Sequence, residues 1–119
     1  MLDWEICTLG DPMADIGYVL ATWAEPDDPL RADPTNPTVA PGFTTRDALL
    51  ERYAAASGRD VTHIDFFVAF AFWRLACILE GVYARSLQGA RGGPVADADR
   101  FRERADAAAM LAEEHAARL

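Results

Sequence analysis

Asp3 and Glu5 are the pair in this chain whose type and spacing bear most directly on chemistry. On an extended segment, residues two apart project to the same side, so both carboxylates could face one cation. Hard oxygen donors of this kind suit Mg²⁺, which takes one or two carboxylates and completes its shell with water and phosphate oxygens. Leu2, Trp4 and Ile6 give the same segment an apolar face, against which idle carboxylates are costly to hold. Solvated surface charge is the plainer role for the pair, and Asp-x-Glu spacing alone does not separate the two. Five more acids, Asp11, Asp15, Glu25, Asp27 and Asp28, precede the first cation, Arg31. The opening segment thereby carries most of the net charge of −8.

The remaining polar candidates read mainly as structural. Asp11 precedes Pro12, a pairing that starts a helix because the carboxylate caps free amides and proline suits the first helical position. Asp15 then falls in the first turn, where the helix dipole stabilises a negative charge. Arg74 and Glu80 lie within a very apolar stretch, so each is expected to have a buried or half-buried partner in a structural salt bridge. They are about 120° apart round a helix and do not pair with each other. His63 and His115 fit helix-end positions, His115 at the favourable C-terminal end of the dipole. Ser57 and Ser86 sit in no nucleophile-elbow pattern, and Gly89 to Gly93 lacks the Walker spacing. No catalytic residue is assigned, and a self-contained hydrolase or NTPase is not supported.

These residues must be positioned by a single domain, because 119 residues are too few for two cores. A hydrophobic content of 51% and 10% aromatics describe a globular chain. A pI near 4.5 argues against nucleic acid, since phosphate neutralisation needs a basic surface. All 11 cations are arginine, so any lysine chemistry must come from elsewhere. Cys7 and Cys77 show neither zinc nor disulfide spacing and read as reduced, buried small hydrophobes. The N-terminus shows no secretory signal, and the chain is expected to be cytoplasmic. Phe66 to Ala84 is about long enough to span a bilayer. Arg74 and Glu80 within it would each cost about 2.5–3.5 kcal/mol there, so the expected role is a buried central helix with no membrane partner.

The element order follows from local signals. Leu2 to Cys7 reads as a short strand or extended entry. Ile16, Val19, Leu20 and Trp23 recur at helical spacing, predicting a helix from Asp11-Pro12 to about Ala24. Residues 26–44 hold five of the seven prolines and are expected to form a loop, either a functional lid or a tolerated surface insertion. A second helix is expected from near Thr45 until Gly58 stops it. Thr62 with Asp65 has a capping-box-like spacing and opens a long helix to about Gln88. After the Gly92-Gly93-Pro94 turn, Ala96 to Leu119 forms a charged, alanine-rich helix with Phe101, Ala105, Ala108, Leu111 and Ala112 on its apolar positions. The chain is thus predicted to be mainly α, one short N-terminal strand followed by about four helices.

The segment Leu2-Asp3-Trp4-Glu5, with Gly10-Asp11-Pro12-Met13-Ala14-Asp15-Ile16-Gly17-Tyr18 after it, resembles the aminoglycoside phosphotransferase family. The nearest branch is similar to the phosphotransferase domains related to those fused to some acyl-CoA dehydrogenases. Glu51-Arg52-Tyr53, Trp73-Arg74-Leu75-Ala76 and Glu80-Gly81-Val82-Tyr83-Ala84-Arg85 fit the same branch, so the resemblance runs over essentially the whole chain. It implies the helical C-lobe portion of a protein-kinase-like α+β fold. By the same resemblance Asp3 would hold Mg²⁺ on the ATP phosphates, Glu5 would support the metal, and Asp15 would brace the catalytic-loop backbone. The later helices would line the side that receives a small-molecule acceptor.

The departures from the family pattern bear on activity. The family's His-Gly-Asp loop, expected shortly before Leu2, is not in this sequence, and neither is the lysine that anchors ATP. Phosphoryl transfer depends on these parts acting together. The expectation is therefore a C-terminal portion of an ATP- and Mg²⁺-dependent hydroxyl kinase, inactive alone and needing a complementary N-terminal polypeptide. The competing expectation is a non-catalytic helical module that self-associates through the surface left bare.

Overall fold

A computed structural model describes residues 9–28, 36–88 and 98–119. Four helices carry the fold: α1 (Met13–Thr22), α2 (Arg46–Ser57), α3 (Ile64–Leu87) and α4 (Ala98–Ala116), with a short 3₁₀ turn at Pro37–Val39. Among the described residues there is no strand. The predicted Leu2 to Cys7 strand and the turn at Gly92-Gly93-Pro94 lie outside the described residues.

α3 is the spine, packing most extensively with α4 and next with α1. The core between them joins Leu20 and Ala21 of α1, Val68, Ala71 and Phe72 of α3, and Ala108 and Leu111 of α4. Alanines at three of these positions let the helices approach closely, and Gly17 carries this furthest. A Cβ built on Gly17 would lie 2.6 Å from the Phe67 carbonyl carbon, so only glycine fits where α1 crosses α3.

α1 stops two residues short of its predicted end. Trp23 turns extended while its N–H still reaches the Val19 carbonyl. The next residue, Ala24, exchanges two hydrogen bonds with Thr38: its N–H donates to the hydroxyl at 2.9 Å and its carbonyl accepts from it at 2.9 Å. Long-range bonding therefore ends the helix where periodicity would have continued it. The same contacts fasten the described part of residues 26–44, which is loop apart from the 3₁₀ turn. Asn36 caps the 3₁₀ turn and donates to the Thr22 carbonyl at 3.0 Å, and the Trp23 indole donates to the Thr44 carbonyl at 3.0 Å. The described part of this segment is strapped to the end of α1.

α2 keeps both predicted ends: the Thr45 hydroxyl accepts the Ala48 N–H, and Gly58 closes the helix at φ 67°. At α3 the Thr62–Asp65 capping box does not form. Asp60 instead accepts from both the N–H and the hydroxyl of Thr62, at 2.9 and 2.6 Å, while Asp65 is drawn to α4. Those Thr62 bonds, side chain first and backbone second, hold the Asp60 carboxyl below its ordinary 3.8. A depressed carboxyl pKa contributes stability above the ordinary value and loses it as pH falls through the folded one. An NMR titration is accordingly expected to place the Asp60 midpoint below 3.8, and Thr62→Ala should return it upward. An unchanged midpoint in the variant would refute that origin.

α3 has the length and apolar character needed to cross a bilayer. It is not, however, the all-round buried helix expected from its composition. Val68, Ala71, Phe72 and Leu79 are buried, whereas Phe66, Phe70, Trp73, Cys77 and Ile78 are exposed. Cys77 thus departs from its expected burial.

Candidate functional site

Asp3 and Glu5, the predicted metal pair, lie outside the described residues. Asp11 does cap α1: its Oδ1 accepts the Met13 N–H at 2.9 Å. Asp15 stands exposed in the first turn of α1, where the dipole alone accounts for it. Arg74 and Glu80 are corrected. Both are exposed, and among the described residues neither forms an ion pair; the Arg74 guanidinium lies over the Phe70 ring at 5.7 Å. Their six-residue separation places them on the two flanks of the exposed side of α3, so charge within this apolar run marks the face that did not need burying.

The structure gathers its charged groups somewhere else, around a cleft of about 460 Å³ between α2 and the bundle. Leu20, Leu50, Ile64, Val68 and Leu111 form its apolar lining. One rim is built on Arg46, the first residue of α2. Its backbone N–H donates to Glu25 Oε1 at 2.7 Å, and its guanidinium donates to the Trp23 carbonyl at 3.0 Å. The guanidinium also grips Asp28 with both terminal nitrogens and reaches Glu25 Oε2 at 3.0 Å. Partial burial works to lower the Arg46 pKa, but the hydrogen bond to Asp28 and the charges of Asp28, Glu25 and Asp47 outweigh it and hold it above its ordinary value.

The opposite rim joins α3 to α4. His115 Nδ1 lies 2.6 Å from Asp65 Oδ1, with His115 buried at 9% exposure and its ring stacked on Phe72 at 5.9 Å. Arg118 approaches the same carboxylate oxygen at 3.6 Å and pairs with Glu114 one turn back. A carboxylate holding one imidazole nitrogen is the orienting half of an acid–base site. Among the described residues lining this cleft there is no nucleophilic serine, threonine or cysteine. Among the described residues no three His, Cys, Asp or Glu side chains converge to hold a metal ion. The arrangement therefore ties α3 to α4 and α2 to the segment after α1, with each arginine held between two carboxylates.

Sequence reasoning placed His115 at a helix end but missed its burial and its partner. The signal was present: His115 continues the Ala105, Ala108, Leu111 stripe by one more helical step, and all four are buried. Arg46 had no comparable signal, because Glu25 and Asp28 reach it across a segment with no periodicity.

No protein-family profile matches the chain, and no solved structure matches it. Its sequence is 39% identical over 92 residues to acyl-CoA dehydrogenase family member 10 of Mus musculus, covering 75% of this chain and 9% of that protein. It is 30% identical over 92 residues to acyl-CoA dehydrogenase family member 11 of Rattus norvegicus, and 33% identical over 95 residues to the probable acyl-CoA dehydrogenase IBR3 of Arabidopsis thaliana. Each of these alignments covers 75% of this chain and 12% of the relative. The chain thus spans about a tenth of the length of the curated relatives it matches.

Proposed function

We propose that this chain is the acceptor-side helical portion of an ATP-dependent small-molecule hydroxyl kinase within the lineage of acyl-CoA dehydrogenase family members. The observation that carries this reading is a coincidence of two signals. The motifs at residues 2–18, 51–53 and 73–85 resemble phosphotransferase domains related to those fused to some acyl-CoA dehydrogenases, and three quarters of the chain is similar to proteins of that name. The mainly helical fold agrees with a C-lobe portion.

Asp3, supported by Glu5, is the metal-holding position; two carboxylates separated by one residue are a suitable hard-oxygen donor set for Mg²⁺. When bound, Mg²⁺ would neutralise charge on the ATP phosphates. In sequence those carboxylates precede α1, whose start Asp11 and Pro12 fix. It lacks a lysine to anchor ATP, and its sequence contains no His-Gly-Asp loop to orient an acceptor hydroxyl.

The isolated chain is therefore expected to show no ATP turnover above the buffer blank with a panel of small hydroxy compounds. Turnover by the isolated chain that disappears in Asp3→Ala would overturn the inactivity. Restoration of turnover by a polypeptide carrying the missing loop and lobe, again lost in Asp3→Ala, is the positive result for the kinase reading. The exposed Phe66, Phe70 and Trp73 favour a second reading, a helical module that self-associates. Sedimentation over a wide concentration range separates the two, because a strictly monomeric chain excludes the module.

A further inference from the structure

We infer that α2 is a hinged arm, latched at its first residue by Arg46 and free to swing over the cleft about Gly58–Asp60. None of the 12 residues of α2 is buried, whereas α1, α3 and α4 each have four buried residues. Leu49 and Leu50 reach the core only as partly buried neighbours. A helix of this length is marginal in water by its own hydrogen bonds, so α2 stays in place because of what holds its ends.

The two ends are held very differently. At the C-terminal end Gly58 sits at φ 67°, and Arg59 and Asp60 are exposed. The hydrogen bonds there are local: Arg59 N–H to the Ser57 hydroxyl, and Thr62 to Asp60. At the N-terminal end Arg46 bonds Trp23, Glu25 and Asp28, all of them beyond the end of α1. Leu50 stands on the α2 wall of the cleft, opposite Ile64, Val68 and Leu111. Thr44, two residues before α2, stays tethered by the Trp23 indole, so releasing Arg46 leaves the start of α2 joined to the bundle through that short link alone and lets the helix shift and widen the cleft without disturbing the packing of α1, α3 and α4. This mobility is independent of the kinase reading.

Hydrogen exchange on the intact chain tests the arm. Backbone amides of residues 50–57 are expected to exchange at least about tenfold faster than those of residues 68–79, because local opening needs less free energy than global unfolding. Arg46→Ala should accelerate exchange in α2 further while leaving residues 68–79 unchanged. Raising NaCl to about 1 M should act in the same direction, since partly exposed ion pairs are screened. Equal protection of α2 and α3, or equal acceleration of every helix by Arg46→Ala, would overturn the proposal. Should Arg46→Ala fail to fold, Asp28→Asn weakens the same latch more gently. Acceleration confined to α2 in that variant supports the arm, and uniform or absent acceleration refutes it.

Discussion

Gly17→Val is expected to lift α1 off α3 and to cost the chain more stability than any substitution on the exposed side of α1. The first atom beyond Cα would stand 2.6 Å from the Phe67 carbonyl carbon and 2.7 Å from its oxygen. Backbone atoms inside a 24-residue helix cannot rotate out of the way as a flexible side chain does. Two effects compete in the smaller replacement, Gly17→Ala. Alanine gains about 1 kcal/mol of helix propensity over glycine, while forced overpacking costs about 1–3 kcal/mol and more where backbone must move. The contact lies well below the distance that Cβ atoms tolerate, so the steric cost wins and Gly17→Ala is net destabilising. Valine adds two methyl groups and a β-branched penalty without further gain. For a chain of this size each kcal/mol lowers the melting temperature by roughly 4 °C. Thermal and urea unfolding should rank the variants wild type, Gly17→Ala, Gly17→Val, with the exposed control Tyr18→Ala close to wild type. An increase in stability for Gly17→Ala would show that α1 can ride over α3, contrary to this packing.

What the sequence made legible divides along the range of the interactions. Asp11-Pro12, Thr45 and Gly58 mark helix ends through bonds to residues at most four away, and each acts where its type and position predict. The end of α1, the strap formed by Thr38 and the Arg46 latch depend on residues 14 to 23 apart with no pattern between them. Local propensity carries no information about such pairs. Asp65 shows the two ranges in competition. Its capping-box spacing is a weak local preference, and an imidazole 50 residues away offers a 2.6 Å hydrogen bond at a half-buried site.

α3 illustrates a different limit. Apolar residues all round a helix say that burial is available on every side, not that this chain supplies it. The side carrying Val68, Phe72 and Leu79 meets α4 and α1, while Phe66, Phe70 and Trp73 point away from that core. Arg74 and Glu80 flank the outward side, which explains why both remain exposed. Periodicity within α3 could not have identified the outward side, because both sides are apolar; only the positions of the two charges distinguish them.

Phe72→Ala is expected to approach the limit of what the fold tolerates. Phe72 is 2% exposed and is the largest side chain wholly enclosed by the described core. Truncating a buried phenylalanine costs about 3–5 kcal/mol, from lost burial and from the cavity left behind. Single domains have about 5–15 kcal/mol of total stability, so this one change removes roughly a fifth or more of it. The position carries a second consequence, because the Phe72 ring stacks on His115 at 5.9 Å and helps to hold the imidazole against Asp65. The cavity would let water reach that pair and loosen the C-terminal end of α4 from the start of α3. Phe72→Leu keeps an apolar branched chain in the same space and should cost about 1–1.5 kcal/mol. Urea unfolding should show a large fall in midpoint for alanine and a small one for leucine. The His115 ring resonances should shift most in the alanine variant. A loss below about 1 kcal/mol for Phe72→Ala would mean that this side chain is not at the centre of the core, since even well-collapsed sites exceed that value.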